Sequence, residues 1–153
     1  MGPRRRRTDE LLLHVRRPAG YGRAESEGIQ AGLDISATSV GNNFCVPQGD
    51  DRAKQIEFVK RWVDHSVELG TPCVRVFAGH TRAGSEHKSD FAAVTECLKN
   101  CCDYAGKRGV LLALENHGYL TETAPDVLAI LDAVNHEWLG LSARFHKYAN
   151  AFD

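Results

Sequence analysis

Hydrophobic and polar positions fall in blocks along this chain, and the sharpest block is Val110–Gly118, VLLALENHG. An aliphatic run bounded by Arg108-Gly109 and Gly118 reads as a buried strand of a parallel sheet. It ends abruptly in Glu115, Asn116 and His117. Ionisable residues at the carboxyl end of such a strand sit where α/β folds gather their chemistry. The two-residue period of a strand puts Leu111, Ala113 and Glu115 on one face, with the carboxylate above a small alanine. Glu115 is therefore the first candidate functional residue.

The same reading extends to both sides. Leu33–Ala37 is expected to form a first strand, followed by the polar loop SVGNNF. A helix opens at Asp50 and Asp51, runs to Leu69 and closes at Gly70, with Ile56, Val59, Trp62, Val63 and Val67 at helical spacing. Cys73–Phe77 (CVRVF) is the second strand, running into Ala78-Gly79-His80. A loop with His80, Arg82, His87 and Lys88 leads to Ser89 as the expected N-cap of a helix to Lys107. After the VLLALE strand, Thr121–Val134 is expected as a helix with Pro125 in its first turn, and Leu139–Ala143 as a fourth strand. Residues 24–32 read as the tail of a helix that stops at Gly32. Strands alternating with helices predict an all-parallel α/β fold, either a doubly wound sheet or a (β/α)8 barrel.

Length and composition fit one ordinary globular domain: 153 residues, 42% hydrophobic, 25% charged. The net charge of −1 hides an asymmetry, because residues 1–23 hold seven arginines against Asp9 and Glu10. That stretch reads as a basic, disordered arm, and residues 24–153 as the domain. No apolar run approaches a membrane span and no signal peptide is apparent, so a membrane is not an expected partner and the expected location is the cytoplasm. Five cysteines point to a reduced protein rather than a disulfide framework. Cys97, Cys101 and Cys102 fall on one helix without a second pair, which reads as buried helix-face thiols and not a zinc site. The phosphate-binding fingerprints GxGxxG and GxxxxGK[ST] are absent, and no Ser-His-Asp or Cys-His arrangement stands out.

Taken in order, ISATSVGNNF at 35–44, RVFAGH at 75–80, ALENHG at 113–118 and AVNHEWLGL at 133–141 resemble the sugar phosphate isomerase/epimerase family of xylose isomerase-like TIM barrels. The resemblance covers roughly Ala24–Leu141 and implies a partial barrel of about four parallel βα units. It implies a divalent metal (Mn, Mg, Co or Zn) at the top of the barrel and a sugar, keto-sugar or sugar phosphate as substrate. By motif match, Glu115 corresponds to a metal-binding glutamate that also serves as base. Arg75, on the Cys73/Phe77 face, is a candidate to meet a carboxylate or phosphate, or else to pair with Glu115 itself. His117, His80, Asn42 and Asn43 are the further candidates for substrate contact. His65, His87 and His136 read as surface or loop residues, and His146 as a possible remnant of a substrate-contacting histidine.

The sequence departs from that family in places. The family's next strand carries an aspartate ligand, and here that position falls on Ala143 or Arg144. Four strands of eight leave open edges, so a homodimer closing the half-barrel is one expectation. The alternatives are a non-catalytic remnant or assembly module, and an endonuclease-IV-like metal-dependent phosphodiesterase with many more histidine ligands. Nucleic acid is otherwise not an expected partner.

Overall fold

The computed structural model describes residues 32, 35–81 and 84–143. Of the two units into which the chain divides, Met1–Asp34 contributes only Gly32 to this description, and the fold belongs to the second, from Ile35 onward. The basic arm, the expected helix ending at Gly32, Arg82, Arg144 and His146 lie outside the described residues.

The elements are β1 (Thr38–Ser39), α1 (Asp50–Leu69), β2 (Cys73–Val76), α2 (His87–Gly106), β3 (Leu111–Glu115), a 3-10 turn (Tyr119–Thr121), α3 (Ala124–Val134) and β4 (Leu139–Ser142). The four strands form one sheet in the order β1-β2-β3-β4, every pair parallel. A sequential order of this kind, each step crossing over through a helix, keeps the helices on one face and has no point where strand order reverses. That is the arrangement of a partial (β/α)8 barrel. The doubly wound option is set aside.

The core lies between sheet and helices. Val74 and Val76 of β2 and Leu112 and Leu114 of β3 are fully buried toward it, against Val59 and Val63 of α1, Val94, Cys97, Leu98 and Cys101 of α2, and Ile130 of α3. Among the described residues, no helix is long and apolar enough to cross a membrane. The alternate residues Ser39, Arg75, Ala113 and Gly140 stand in one register row on the opposite face of the sheet. Ala113 and Gly140 are small, so a long side chain from β2 has room to lie over the row.

Several boundaries differ from those expected. Among the described residues the first strand is Thr38–Ser39: of the expected Leu33–Ala37, Leu33 and Asp34 lie outside the described residues and Ile35–Ala37 form no ladder, pairing beginning where Thr38 meets Val74. There the Thr38 hydroxyl meets that of Ser66 at 2.5 Å in the core, a tertiary contact no local pattern reveals. Val67, expected on the apolar face of α1, is 46% exposed. Helix α1 ends as expected at Gly70, whose left-handed φ of 69° lets its N–H reach the last turn.

Ser89 is not a cap. Helix α2 opens three residues earlier, with Glu86 as its N-cap, because the Glu86 carbonyl accepts from the N–H groups of both Ser89 and Asp90, and the Ser89 hydroxyl donates to that same carbonyl. His87 accordingly opens a helix rather than sitting in a loop, and its ring meets Tyr119 edge-on at 5.8 Å. His65 is half-buried beside Glu68, and half-buried His136 accepts from the Trp138 N–H while its other ring nitrogen faces Asp103.

Helix α3 starts at Ala124 because Thr123 and Asp126 form a reciprocal capping box. Thr123→Ala should cost about 1 kcal/mol in urea unfolding. The bonds from the Thr123 side chain and backbone hold the Asp126 carboxyl below its ordinary value of 3.8. Such a group stabilises the fold above its unfolded pKa and ceases to as pH falls through the lower folded one. The penalty of Thr123→Ala should therefore shrink below about pH 4, measured across a pH series.

Cys97, Cys101 and Cys102 are buried thiols, as expected. Burial pushes Cys97 up to about 11 and Cys102 up to about 12, and Cys101 is raised as well. The thiolate is the reactive form. Iodoacetamide at pH 8 should therefore label half-buried Cys73 first and leave Cys45, Cys97, Cys101 and Cys102 intact until denaturant is added, read by mass spectrometry.

Candidate functional site

Three loops meet at the carboxyl ends of the strands. The loop after β1 is latched to β2 by Asn42, whose buried amide donates to the Phe77 carbonyl and accepts from the Phe77 N–H. Asn43 does the same one step further out: its side-chain oxygen accepts from the N–H groups of Cys45 and His80. Gly79 sits under this latch with φ 132°, and a Cβ there would come 2.1 Å from the Asn43 oxygen. Gly118, φ 102°, faces the Gly79 carbonyl, where a Cβ would come within 2.7 Å. Glycine is required at both positions because loops from β1, β2 and β3 converge on one point.

Glu115 ends β3 at this convergence, its side chain only 4% exposed. Its Oε2 accepts from Nη1 of Arg75, and its Oε1 lies 3.8 Å from Nδ1 of His117. Arg75 is held from the other side by Ser39, whose hydroxyl accepts from Nε at 2.6 Å and also from Nη2. The guanidinium lies over the Phe77 ring, 4.2 Å from its centroid. The His117 ring meets Phe77 at 5.2 Å and His80 at 6.0 Å, both edge-on. Parallel register explains the pairing: Arg75 stands beside Ala113, two residues below Glu115 on the same face.

The structure thus gathers Glu115, Arg75, His117 and His80 at one rim. Asn42 and Asn43 are close in the chain but their amides link loop backbones. Ser39 lies beyond the expected first strand and carries no local signal of its role. Nor does any local pattern mark Asp90, buried at the start of α2, which accepts from the Ser85 hydroxyl and the Tyr119 phenol. Burial first, and then the bond to Asp90, raise the Tyr119 hydroxyl above its ordinary value, so it keeps its proton for that bond. Cys45 is buried, with its thiol 3.8 Å from the Ala78 carbonyl.

A divalent metal needs several oxygen or imidazole donors converging on one point. Among the described residues no group of three His, Cys, Asp or Glu side chains does so. The single carboxylate expected to ligate a metal, Glu115, already receives a guanidinium N–H. The described donor set does not fit a resident metal. It equally lacks the histidine cluster that an endonuclease-IV-like centre requires.

Comparison with known proteins agrees with the fold. The family model for xylose isomerase-like TIM barrels matches residues 22–143. Protein SMc04130 from Sinorhizobium meliloti 1021 is 25% identical, with a TM-score of 0.72 over 84% of this chain and 49% of its own. The 3-keto-D-glucoside 4-epimerase YcjR from E. coli is 13% identical, with a TM-score of 0.74 over 84% of this chain and 54% of its own. D-psicose 3-epimerase, solved in the presence of D-fructose, is 17% identical, with a TM-score of 0.73 over 88% of this chain and 51% of its own. The chain therefore spans about half the length of these solved relatives. No curated protein matches the sequence. With the motifs, the parallel half-barrel and the family match in agreement, the chain belongs to the xylose isomerase-like TIM barrel family.

Proposed function

We propose that this chain acts on a sugar or keto-sugar, moving a proton at the carbon next to a carbonyl in an isomerase or epimerase reaction. The observation that carries this reading is a buried glutamate, Glu115, at the carboxyl end of a barrel strand with Arg75 and His117 against its two oxygens. In this scheme Glu115 takes the proton, while Arg75, His117 and His80 meet the oxygens of the substrate. Asn43 serves by fixing the backbone of His80. Support for the substrate class comes from neighbours that act on keto-sugars, among them L-ribulose 3-epimerase and D-psicose 3-epimerase.

The test is solvent exchange. D-fructose incubated with the protein in D2O should lose the proton signal at the carbon beside its carbonyl. A positioned base contributes about 10²- to 10⁴-fold, so Glu115→Gln should slow exchange at least about 100-fold. Equal exchange in both proteins contradicts the assignment.

A second reading is favoured by one specific observation: Glu115 is already paired with Arg75. On that reading the chain is a non-catalytic module that completes its barrel with a second copy. Sedimentation velocity separates the two, since a stable dimer without exchange activity supports the module.

A further inference from the structure

Proton removal beside a carbonyl is speeded by fixed donors at the oxygen where charge develops, and we infer that in this chain the group that supplies them is the guanidinium of Arg75 rather than a divalent cation. The inference rests on the proton-transfer reading of Glu115. Arg75 is fixed on three sides: by Ser39 at Nε and Nη2, by Glu115 at Nη1, and by the Phe77 ring at 4.2 Å. A guanidinium carries five N–H donors, of which these bonds use three. One donor each on Nη1 and Nη2 is left for a ligand, on a side chain that is 29% exposed at the mouth of the site.

An oxygen bonded to the remaining Nη1 donor lies beside Glu115, because Nη1 itself donates to the carboxylate. The step then balances. The Cα–H bond breaks and its proton goes to Glu115; the electron pair forms the carbon–carbon double bond of an enediolate; the carbonyl π pair moves to oxygen. Negative charge passes from the carboxylate to an oxygen facing the same guanidinium, so the site keeps its net charge. Fixed donors aimed at developing charge are worth about 10²- to 10³-fold each.

The experiment follows D-fructose exchange in D2O by NMR, once with EDTA and once with MnCl2, alongside thermal unfolding in the same buffers. The expected result is exchange within about twofold in both, an unfolding temperature that Mn²⁺ does not move, and a roughly 100-fold loss in Arg75→Gln. Exchange that appears only with Mn²⁺, or a Mn²⁺-dependent rise in unfolding temperature that Glu115→Gln abolishes, overturns the inference and leaves the proton-transfer reading standing. Exchange in neither buffer overturns the reading itself, and the inference with it. Should Arg75→Gln not fold, Arg75→Lys keeps the charge but lacks the fork and should still lose most of the rate; the wild-type arms decide in either case.

Discussion

Arg75→Met is expected to destabilise the fold by about 3–5 kcal/mol in urea unfolding, because it takes the guanidinium away from a buried carboxylate. Glu115 is 4% exposed, and its Oε2 takes a charged N–H from Arg75. Methionine keeps much of the arginine stem and its contact with Phe77, so the loss reports the missing guanidinium rather than a missing volume. Two companions sharpen the result. Glu115→Gln keeps a polar group in place and should cost less, about 1–2 kcal/mol. The double variant Arg75→Met/Glu115→Leu removes both charges and should recover most of the loss, since an apolar pair of similar shape needs no partner. A single variant as stable as wild type, or a double variant no better than the single, contradicts the ion pair as drawn.

Gly79→Ala should be of similar size, about 3–5 kcal/mol. An alanine at φ 132° stores strain of about 1–3 kcal/mol. Its Cβ would also lie 2.1 Å from the Asn43 oxygen, which accepts at 3.0 Å from both Cys45 and His80. Moving that oxygen away abandons two hydrogen bonds of about 1 kcal/mol each. Gly84→Ala is the control: its φ of 77° is also left-handed, but among the described residues a Cβ there meets nothing within 4 Å, so it should show the strain without the clash. A Gly79→Ala variant no worse than Gly84→Ala would mean that the loops give way at no cost.

The contrast between β3 and β1 shows what the sequence makes legible. Strand β3 is an aliphatic run cut off by Glu115, and the period of two placed that carboxylate on the face of Ala113 without further help. Arg75 is readable by the same rule within β2, and its pairing with Glu115 follows once β2 and β3 lie in parallel register. Strand β1 is only Thr38 and Ser39, polar residues whose place is set by the Ser66 hydroxyl and by the edge of β2. Nothing local announces such a strand, and Ser39, the second anchor of Arg75, went unseen with it. Ser89 shows a different failure: serine is a good cap in general, but here the carbonyl of Glu86, three residues earlier, already holds the amides. The metal expected on Glu115 came from family likeness, whereas the guanidinium beside it came from register.

On the proposed function, a keto-sugar binds at the rim built from Glu115, Arg75 and His117. The most direct measurement is an NMR titration with D-fructose that follows the Arg75 Nε–H and the ring protons of His117 and His80. These resonances are expected to move together and saturate with one affinity, while those of His136 and Trp138, which precede β4 at the other end of the sheet, stay fixed. Shifts confined to His136 and Trp138, or no shift at the Arg75 Nε–H at saturating sugar, would contradict it.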